Sequence, residues 1–317
     1  MDRKLLFAVD GSERGLQAAS ILGNLLRDQS DYEVLQFHCV QQLAMLYPGE
    51  FADIEISQRF TIDAQKKVGN SILDASREAL VQGGFPRDRI ISRVGLNCSD
   101  PAQAIMAEAE NERIRTIVLG RRGRSPMESL LLGSVSSKVA QYARHRSVWI
   151  VDTPINQSRK VLVAMAGEPD SRALTYYTAE FLAPIPQLQY TFFHIMPPVP
   201  PTFWDDGHIL QPSEQKDREK RIEKWRSEWT RGVEKFMDEA CHAVTQQGVP
   251  EKNVEKRIVQ TKEGVARDLL NEILRGEYQM VVMGKRSFHE RKPFLMGSHA
   301  NKILQNIEKA ILCLIDA

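Results

Sequence analysis

The feature that most constrains this chain is an internal repeat. The segment KLLFAVDGS (residues 4–12) is echoed by KVLVAMAGE (residues 160–168), which lies 156 positions later. Residues 116–141, beginning TIVLG, match residues 280–305, beginning MVVMG, at a spacing of 164. The repeat therefore predicts two domains of about equal size.

The repeat also indicates where the two domains meet. The two copies join near DTPINQSR (residues 152–159), which predicts domains at residues 1–154 and 155–317. The second spacing exceeds the first, so extra residues must lie inside the second copy. The segment 197–215 is rich in proline and polar residues, and we expect it to hold them as a loop.

Short apolar runs alternate with helical periodicity in both halves. After the first apolar run, Leu16, Ala19, Leu22 and Leu26 recur at the spacing of one helix face. Nearly continuous apolar strands between helices are typical of a parallel sheet covered on both faces. The sequence therefore predicts an α/β fold: two tandem, doubly wound domains with five parallel strands each.

Charge and cysteine content exclude several classes of function. The 42 Lys and Arg residues nearly balance 41 Asp and Glu residues, so no global field favours nucleic acid or a membrane as partner. The apolar run Leu5–Val9 is too short for a signal peptide, which predicts a cytoplasmic protein. The widely spaced cysteines contain no C-x-x-C pair, so we expect small buried hydrophobes: Cys39, Cys98, Cys241 and Cys313.

A glycine-containing loop follows one of the predicted strands. In LGRRGRSPMESLLLGSV (residues 119–135), glycines stand at 120, 123 and 133. Glycine lets a backbone approach a ligand closely, and bare N–H groups in such a loop form an anion-binding concavity. Because ligands of open parallel sheets bind at the carboxyl ends of strands, the loop predicts a phosphate site; a purely structural turn before a helix is the alternative.

A helix is predicted directly after this loop. Ser134 is a candidate N-cap, and the helix N-terminus would point at an anion held by the loop. Three arginines of the loop add positive charge, either as phosphate contacts or as solvated side chains: Arg121, Arg122 and Arg124.

A carboxylate is predicted at the same edge of the sheet. Asp10 follows the first strand, so it could accept hydrogen bonds from ribose hydroxyls or an adenine amino group. Aspartate is equally common as a turn former or helix cap, and both interpretations stay open at this point.

The sequence resembles the universal stress protein family in three features. These are Asp10-Gly11-Ser12 after the first strand, the G-x2-G-x9-G-S loop and the helix that follows this loop. The duplication resembles the tandem type of that family. The resemblance implies a Rossmann-like fold, related to the adenine nucleotide alpha hydrolase-like group, and two domains packed as a pseudo-dimer. It also implies that the closing strands SVWIV (residues 147–151) and ILCLI (residues 311–315) pair, and it leaves a homodimer open.

The resemblance implies ATP or another adenine nucleotide as ligand, with Mg²⁺ on the phosphates left open. Asp10 would contact the adenosine, and the backbone near Val40 would contact the adenine. The remaining contacts would surround the ribose and the phosphates (Gly120, Arg122 and Gly123) and the end of the phosphate tail (Gly133, Ser134 and Val135).

The second half departs from this pattern at two positions. Ala166 stands where the first half has Asp10, and Ser287 stands where it has Gly123. We expect any second site to be weak, with four candidate residues: Gly284, Arg286, Gly297 and Ser298. The charged run at residues 284–292, which includes Lys285, either keeps some anion affinity or is a solvated loop.

Two further residue types have structural and functional interpretations. His38 and its counterpart His194 lie on apolar runs and are predicted to be core histidines. Trp225 and Trp229 in WRSEW are four residues apart on one predicted helix face, where core packing is favoured over a surface for a protein partner.

Enzymatic motifs are scarce in this sequence. It contains no G-x4-G-K-[ST] loop, no kinase-type G-x-G-x-x-G and no Ser/His/Asp set assignable to one site. Glu128 is the one candidate base in the loop, and it is equally compatible with an exposed position. We therefore favour a nucleotide-binding stress or regulatory protein, with a nucleotide-independent interaction protein and a slow ATPase as alternatives.

Overall fold

The computed structural model describes residues 3–41, 54–123, 132–166, 170–204, 211–285 and 296–316. This part of the chain divides into two compact units. The first unit extends to Gln157 and includes Leu304–Asp316, whereas the second begins at Ser158 and includes Gly297–Ile303.

The first unit alternates strands and helices along its chain. Its elements are β1 (Lys4–Ala8), α1 (Glu13–Leu25), β2 (Glu33–Gln41), α2 (Ile54–Gly83), β3 (Ile90–Cys98), α3 (Pro101–Asn111), β4 (Thr116–Gly120), α4 (Ser134–Tyr142) and β5 (Ser147–Val151). These five strands are parallel and lie in the order β3-β2-β1-β4-β5. The fold is the predicted doubly wound α/β sheet.

Strand order reverses between β1 and β4, and this reversal positions the candidate site. From β1 the chain runs outward through β2 and β3, and then returns to place β4 on the other side of β1. Helices leaving neighbouring strands in opposite directions open a crevice at the carboxyl ends of those strands. Asp10 follows β1, and Gly120 ends β4.

The second unit repeats this order. Its elements are β6 (Lys160–Ala164), α5 (Asp170–Tyr177), β7 (Gln189–Met196), α6 (Pro212–Gln246), β8 (Val254–Gln260), α7 (Val265–Gly276), β9 (Met280–Gly284) and α8 (Ser298–Asn306). Its strands are parallel in the order β9-β6-β7-β8, which reproduces β4-β1-β2-β3 of the first unit. A π-helical turn, Thr178–Leu182, extends α5.

The last strand of the second repeat, β10 (Ile311–Ile315), belongs to the first unit. It pairs antiparallel with β5, in a register that runs from Ile311 opposite Val151 to Leu314 opposite Val148. Every residue of both strands is buried. The predicted pairing of the two closing strands is confirmed.

The prediction of a loop over residues 197–215 is wrong at its C-terminal end, because α6 already begins at Pro212. Proline is favoured at the first helical position, where its missing N–H costs no hydrogen bond. The N–H of Gln211 donates to the carboxylate of Glu214 at 2.7 Å, which completes a capping box. Pro212, one of the prolines on which the loop prediction rested, is therefore the first residue of a helix.

Helices α1 and α2 pack backbone to backbone. A Cβ atom built at Gly23 would lie 2.2 Å from the carbonyl oxygen of Leu80, and one at Gly83 would lie 2.5 Å from that of Ser20. Real Cβ contacts are never this short, so both glycines are required by the close approach of the helices. This contact fixes the packing of α2 on α1.

Candidate functional site

A cleft of about 430 Å³ opens at the carboxyl ends of β1 and β4. Its volume lies within the range of roughly 300–1,000 Å³ that is usual for small-molecule sites. All eight residues predicted for the first site line it: Asp10, Val40, Gly120, Arg122, Gly123, Gly133, Ser134 and Val135. The folded chain thus gathers residues from four separate segments into one cavity.

Asp10 forms a turn and also faces the cleft. Its Oδ1 accepts hydrogen bonds from the backbone N–H of Ser12 at 3.0 Å and from the Ser12 hydroxyl at 2.7 Å. Its Oδ2 accepts no hydrogen bond from the described residues and lies where a Cβ atom on Gly123 would be 2.4 Å away. The two interpretations of Asp10 therefore hold together, since one oxygen builds the turn and the other is available to a ligand.

The three loop arginines have different environments. Arg121 is buried, and its Nη2 donates to the carbonyl oxygen of Gln305 at 2.7 Å, while burial lowers the pKa of its guanidinium. Arg122 lines the cleft, and its buried Nε has no hydrogen-bond partner within the described chain. A buried N–H without a partner costs free energy, so this group favours an acceptor supplied by a ligand. Arg124 lies outside the described residues.

The N-terminus of α4 is open toward the cleft. Gly133 is its N-cap, so the prediction of Ser134 as the cap is wrong: Ser134 is already helical, and no side chain of the described residues caps this end. The Ser136 hydroxyl instead donates to the carbonyl oxygen of Gly120 at 2.7 Å and ties the helix start to the end of β4. Uncapped N–H groups and the helix dipole together favour an anion here.

Helix α1 provides a contrast within the same unit. The Ser12 hydroxyl oxygen accepts a hydrogen bond from the N–H of Gly15 at 3.0 Å and caps this helix. The N-termini of the two helices that follow β1 and β4 therefore differ. Helix α1 is capped by a serine side chain, whereas the N-cap of α4 is a glycine, which has no side chain to accept a hydrogen bond. Of the two, α4 is the end that a phosphate could complete.

The apolar half of the cleft was not predicted from the sequence. Val68 and Ile72 of α2 form one wall, and Pro101 and Ile105 of α3 form another. Val68 is 58% exposed, so its side chain is accessible from the cleft that it lines. The four-residue spacing of Val68 and Ile72 was the available signal, since it places both on one face of α2.

Two polar residues on β2 complete the floor of the cleft. His38 is buried, and its Nδ1 is 2.6 Å from the carbonyl oxygen of Val9, as expected for a core histidine. Burial, followed by a hydrogen bond with the thiol of Cys98, raises the pKa of Cys39 far above its usual range. Because the thiolate is the nucleophile, a protonated Cys39 is a lining group rather than a reactive one.

The second unit keeps part of the same backbone geometry. The N–H of Gly297 donates to the carbonyl oxygen of Lys285 at 3.0 Å, matching the 2.9 Å bond from Gly133 to Arg121. Gly284 ends β9, and Ser298 begins α8, whereas Arg286 and Ser287 lie outside the described residues. Lys285 is buried, so a solvated position is wrong for this residue, whereas residues 286–292 of the charged run lie outside the described residues.

The described residues contain neither a metal-binding cluster nor a membrane-spanning helix. No group of three or more His, Cys, Asp or Glu side chains is arranged to hold a metal ion in that part of the chain. None of its helices is both long and apolar enough to span a membrane.

A family model for the universal stress protein family matches residues 1–152 and again residues 157–314. Universal stress protein YxiE of Bacillus subtilis is 27% identical over 144 residues, which cover 44% of this chain and 93% of that protein. A solved universal stress protein from Archaeoglobus fulgidus matches with a TM-score of 0.62 and 18% identity, over 100% of this chain and 99% of that one. The functionally unknown PA1789 from Pseudomonas aeruginosa matches with a TM-score of 0.56 and 14% identity, over 99% and 92%. At such identities the two structures share the fold.

Proposed function

Because the chain belongs to the universal stress protein family, with one family domain in each repeat, we propose that its first domain, residues 1–154, binds ATP or a related adenine nucleotide. The observation that carries this proposal is that, among the described residues, no side chain caps the start of α4 and no acceptor pairs with the nearby Nε of Arg122. Both groups line the same cleft, and both favour a negatively charged ligand. We propose a regulatory role in the cytoplasmic stress response for the nucleotide-bound protein.

The chemistry of the cleft is divided in the way a nucleotide requires. Its apolar walls from α2 and α3 suit a base, and its glycine-lined end suits phosphates that approach backbone N–H groups. Asp10 Oδ2 lies at the same sheet edge as Gly123, where a ribose hydroxyl could donate to it. Each chemical part of a nucleotide therefore has a matching group in this cleft.

Binding is favoured over turnover by the composition of the lining. Asp10 is the one carboxylate among the described lining residues: its Oδ1 is engaged by Ser12, and its Oδ2 is the oxygen that we assign to a ribose hydroxyl rather than to an attacking water. A general base must lie within hydrogen-bonding reach of the attacking water and keep a free acceptor oriented toward it. A slow ATPase therefore has less support than a nucleotide binder.

The first experiment is to measure nucleotide that copurifies with the protein. Freshly purified full-length chain is denatured without added nucleotide, and released adenine nucleotide is quantified by chromatography and mass. We expect a value close to one per chain, since one described cleft carries the complete set of groups. A value close to two would contradict a single competent unit, and no release with no binding of added ATP would favour the interaction-protein hypothesis.

Replacing Asp10 with alanine is expected to weaken ATP binding. A hydrogen bond to a charged group contributes about 1.5–3 kcal/mol, which corresponds to roughly a 10- to 150-fold increase in Kd. Titration calorimetry on Asp10→Ala measures this change. Asp10→Asn is the companion variant, because asparagine can still accept the turn hydrogen bonds from Ser12 while losing the charge.

Asp217→Ala is the matched control for this prediction. Asp217 lies on α6, is 69% exposed and pairs only with a surface lysine among the described residues. Its removal should leave Kd unchanged, because an exposed ion pair contributes little even to stability. Unchanged affinity in Asp10→Ala would remove Asp10 from the proposed site.

A further inference from the structure

His194 in the second unit is held by two hydrogen bonds that define its tautomer. Its Nδ1 lies 2.7 Å from the carbonyl oxygen of Met165, and the indole Nε1–H of Trp229 donates to its Nε2 at 3.1 Å. Since a carbonyl only accepts and an indole only donates, Nδ1 carries the proton and Nε2 is the acceptor. Burial lowers the pKa of His194, which favours the same neutral form.

The first unit has the same histidine at the floor of its cleft. His38 and Val9 correspond to His194 and Met165 in the repeat, and His38 Nδ1 is 2.6 Å from the Val9 carbonyl oxygen. Both His38 and Val9 line the 430 Å³ cleft. The ring of Trp229 therefore lies against the histidine that corresponds to the cleft floor of the first unit.

Helix α6 of the second unit corresponds residue by residue to helix α2 of the first unit, which forms one wall of the cleft. Four buried positions of α6, each 164 residues after a buried position of α2, show the correspondence: Val233, Met237, Ala240 and Val244 follow Gly69, Leu73, Ser76 and Leu80. In this register Trp229 takes the position of Gln65. A single position thus holds a short amide in one unit and a large flat ring in the other.

Other aromatic rings hold Trp229 in place. The Trp225 ring centroid lies 5.6 Å from that of Trp229, and Phe203 lies 6.1 Å from Trp225. The Trp229 and His194 rings are tilted by 32° with centroids 6.4 Å apart. Trp229 packs on a strand histidine as the preferred interpretation of WRSEW expects, although both tryptophans are half-buried rather than part of the core. The packing explains why the indole N–H keeps its direction toward His194.

We infer that Trp229 is a built-in occupant of the second unit's ligand cleft, which is a latent pocket for a flat heteroaromatic ring bearing an N–H group. The Trp229 side chain takes the place in the second unit that the ring of a bound ligand would take in the first unit. Only the identity of the first unit's ligand rests on the proposed function. The second unit is then closed to nucleotide by occupancy, in addition to lacking a counterpart of Asp10.

The test is to remove the ring and offer it back as a free molecule. Trp229→Ala in the full chain should have a lower Tm than the wild type, because a large ring is lost from a packed position. Added indole should raise the Tm of this variant by roughly 5 °C at a hundredfold excess over Kd, and should leave the wild type unchanged. If Trp229→Ala does not fold, Trp229→Gln replaces it, since glutamine is the first unit's residue at this position.

Two controls separate a specific pocket from general binding. Trp204→Ala removes a tryptophan that is 54% exposed and should show no response to indole. Benzothiophene has the shape of indole without the N–H, and we expect it to bind the Trp229 variant at least about tenfold more weakly. Absence of an indole response in the folded variant, or an equal response to benzothiophene, would overturn the inference.

The outcome is independent of the nucleotide proposal. Indole is measured on a variant of the second unit, whereas copurified nucleotide is proposed to occupy the first. A protein that lacks nucleotide but responds to indole would refute the proposed function and support this inference. A protein that releases nucleotide but whose Trp229 variant does not respond to indole would support the proposed function and refute this inference.

Discussion

Replacing Gly133 with valine is expected to lower the affinity for ATP roughly 100- to 1,000-fold while leaving the fold intact. The valine side chain would stand at the start of α4, where a phosphate would approach the N–H groups of Ser134 and Val135. Overpacking costs about 1–3 kcal/mol, and loss of hydrogen bonds to a charged group costs about 1.5–3 kcal/mol. A net loss of about 3–4 kcal/mol corresponds to this change in Kd.

The protein itself tolerates a side chain at this position. Gly133 has φ −66° and ψ 145°, an extended conformation open to any residue, and a Cβ atom there would meet no atom of the described residues closer than 3.4 Å. The matched control is Gly232→Val on α6, where an added Cβ has no neighbour within 4 Å in the described part of the chain. Calorimetry on both variants measures Kd, and urea unfolding checks stability. Equal affinity in both would show that no ligand group approaches Gly133.

Replacing Gly23 with valine is expected to lower the free energy of unfolding by at least about 3 kcal/mol. The new Cβ would lie 2.2 Å from the carbonyl oxygen of Leu80, and backbone cannot move aside as a flexible side chain can. Overpacking in a tight core costs about 1–3 kcal/mol and more where backbones must separate. Helix α2 would then shift, and it carries the Val68 and Ile72 wall of the cleft.

Gly232→Ala is the comparison for this prediction, because it makes a similar change in an exposed helix. Alanine there should raise the free energy of unfolding by about 0.5–1 kcal/mol, since it reduces the conformational freedom of the unfolded chain. Urea unfolding of both variants gives opposite signs if the α1–α2 contact is as rigid as its geometry indicates. A loss below 1 kcal/mol in Gly23→Val would mean that the helices separate easily.

The features predictable from the sequence were those that depend on local pattern and on the repeat. Fully apolar strands specify a sheet buried on both faces, and the spacings of 156 and 164 residues between the copies aligned strands of one half with strands of the other. Glycines and Asp10 could be assigned to one sheet edge because parallel strands end together. No ligand was needed for any of these steps.

The features that the sequence did not predict depend on contacts between distant segments. Val68 and Ile72 have the sequence pattern of any apolar helix face, and only the packed fold shows that they line the cleft. Arg121 and Arg122 are adjacent in sequence, yet one is buried on the carbonyl oxygen of Gln305 and the other faces the cleft. The side chains of neighbouring residues point in different directions after a strand ends, and the sequence does not reveal which of them is buried and which faces the cleft.

The pairing of β10 with β5 has a consequence for the order in which this protein is made. A whole repeat separates the two strands in the chain, so β5 leaves the ribosome well before its antiparallel neighbour exists. At about 5–20 residues per second, the delay is on the order of ten seconds. During that time β5 is an unprotected edge, the kind of surface to which another nascent chain can add a strand. The completed sheet of the first unit is therefore a late product of translation, even though its other strands are made first.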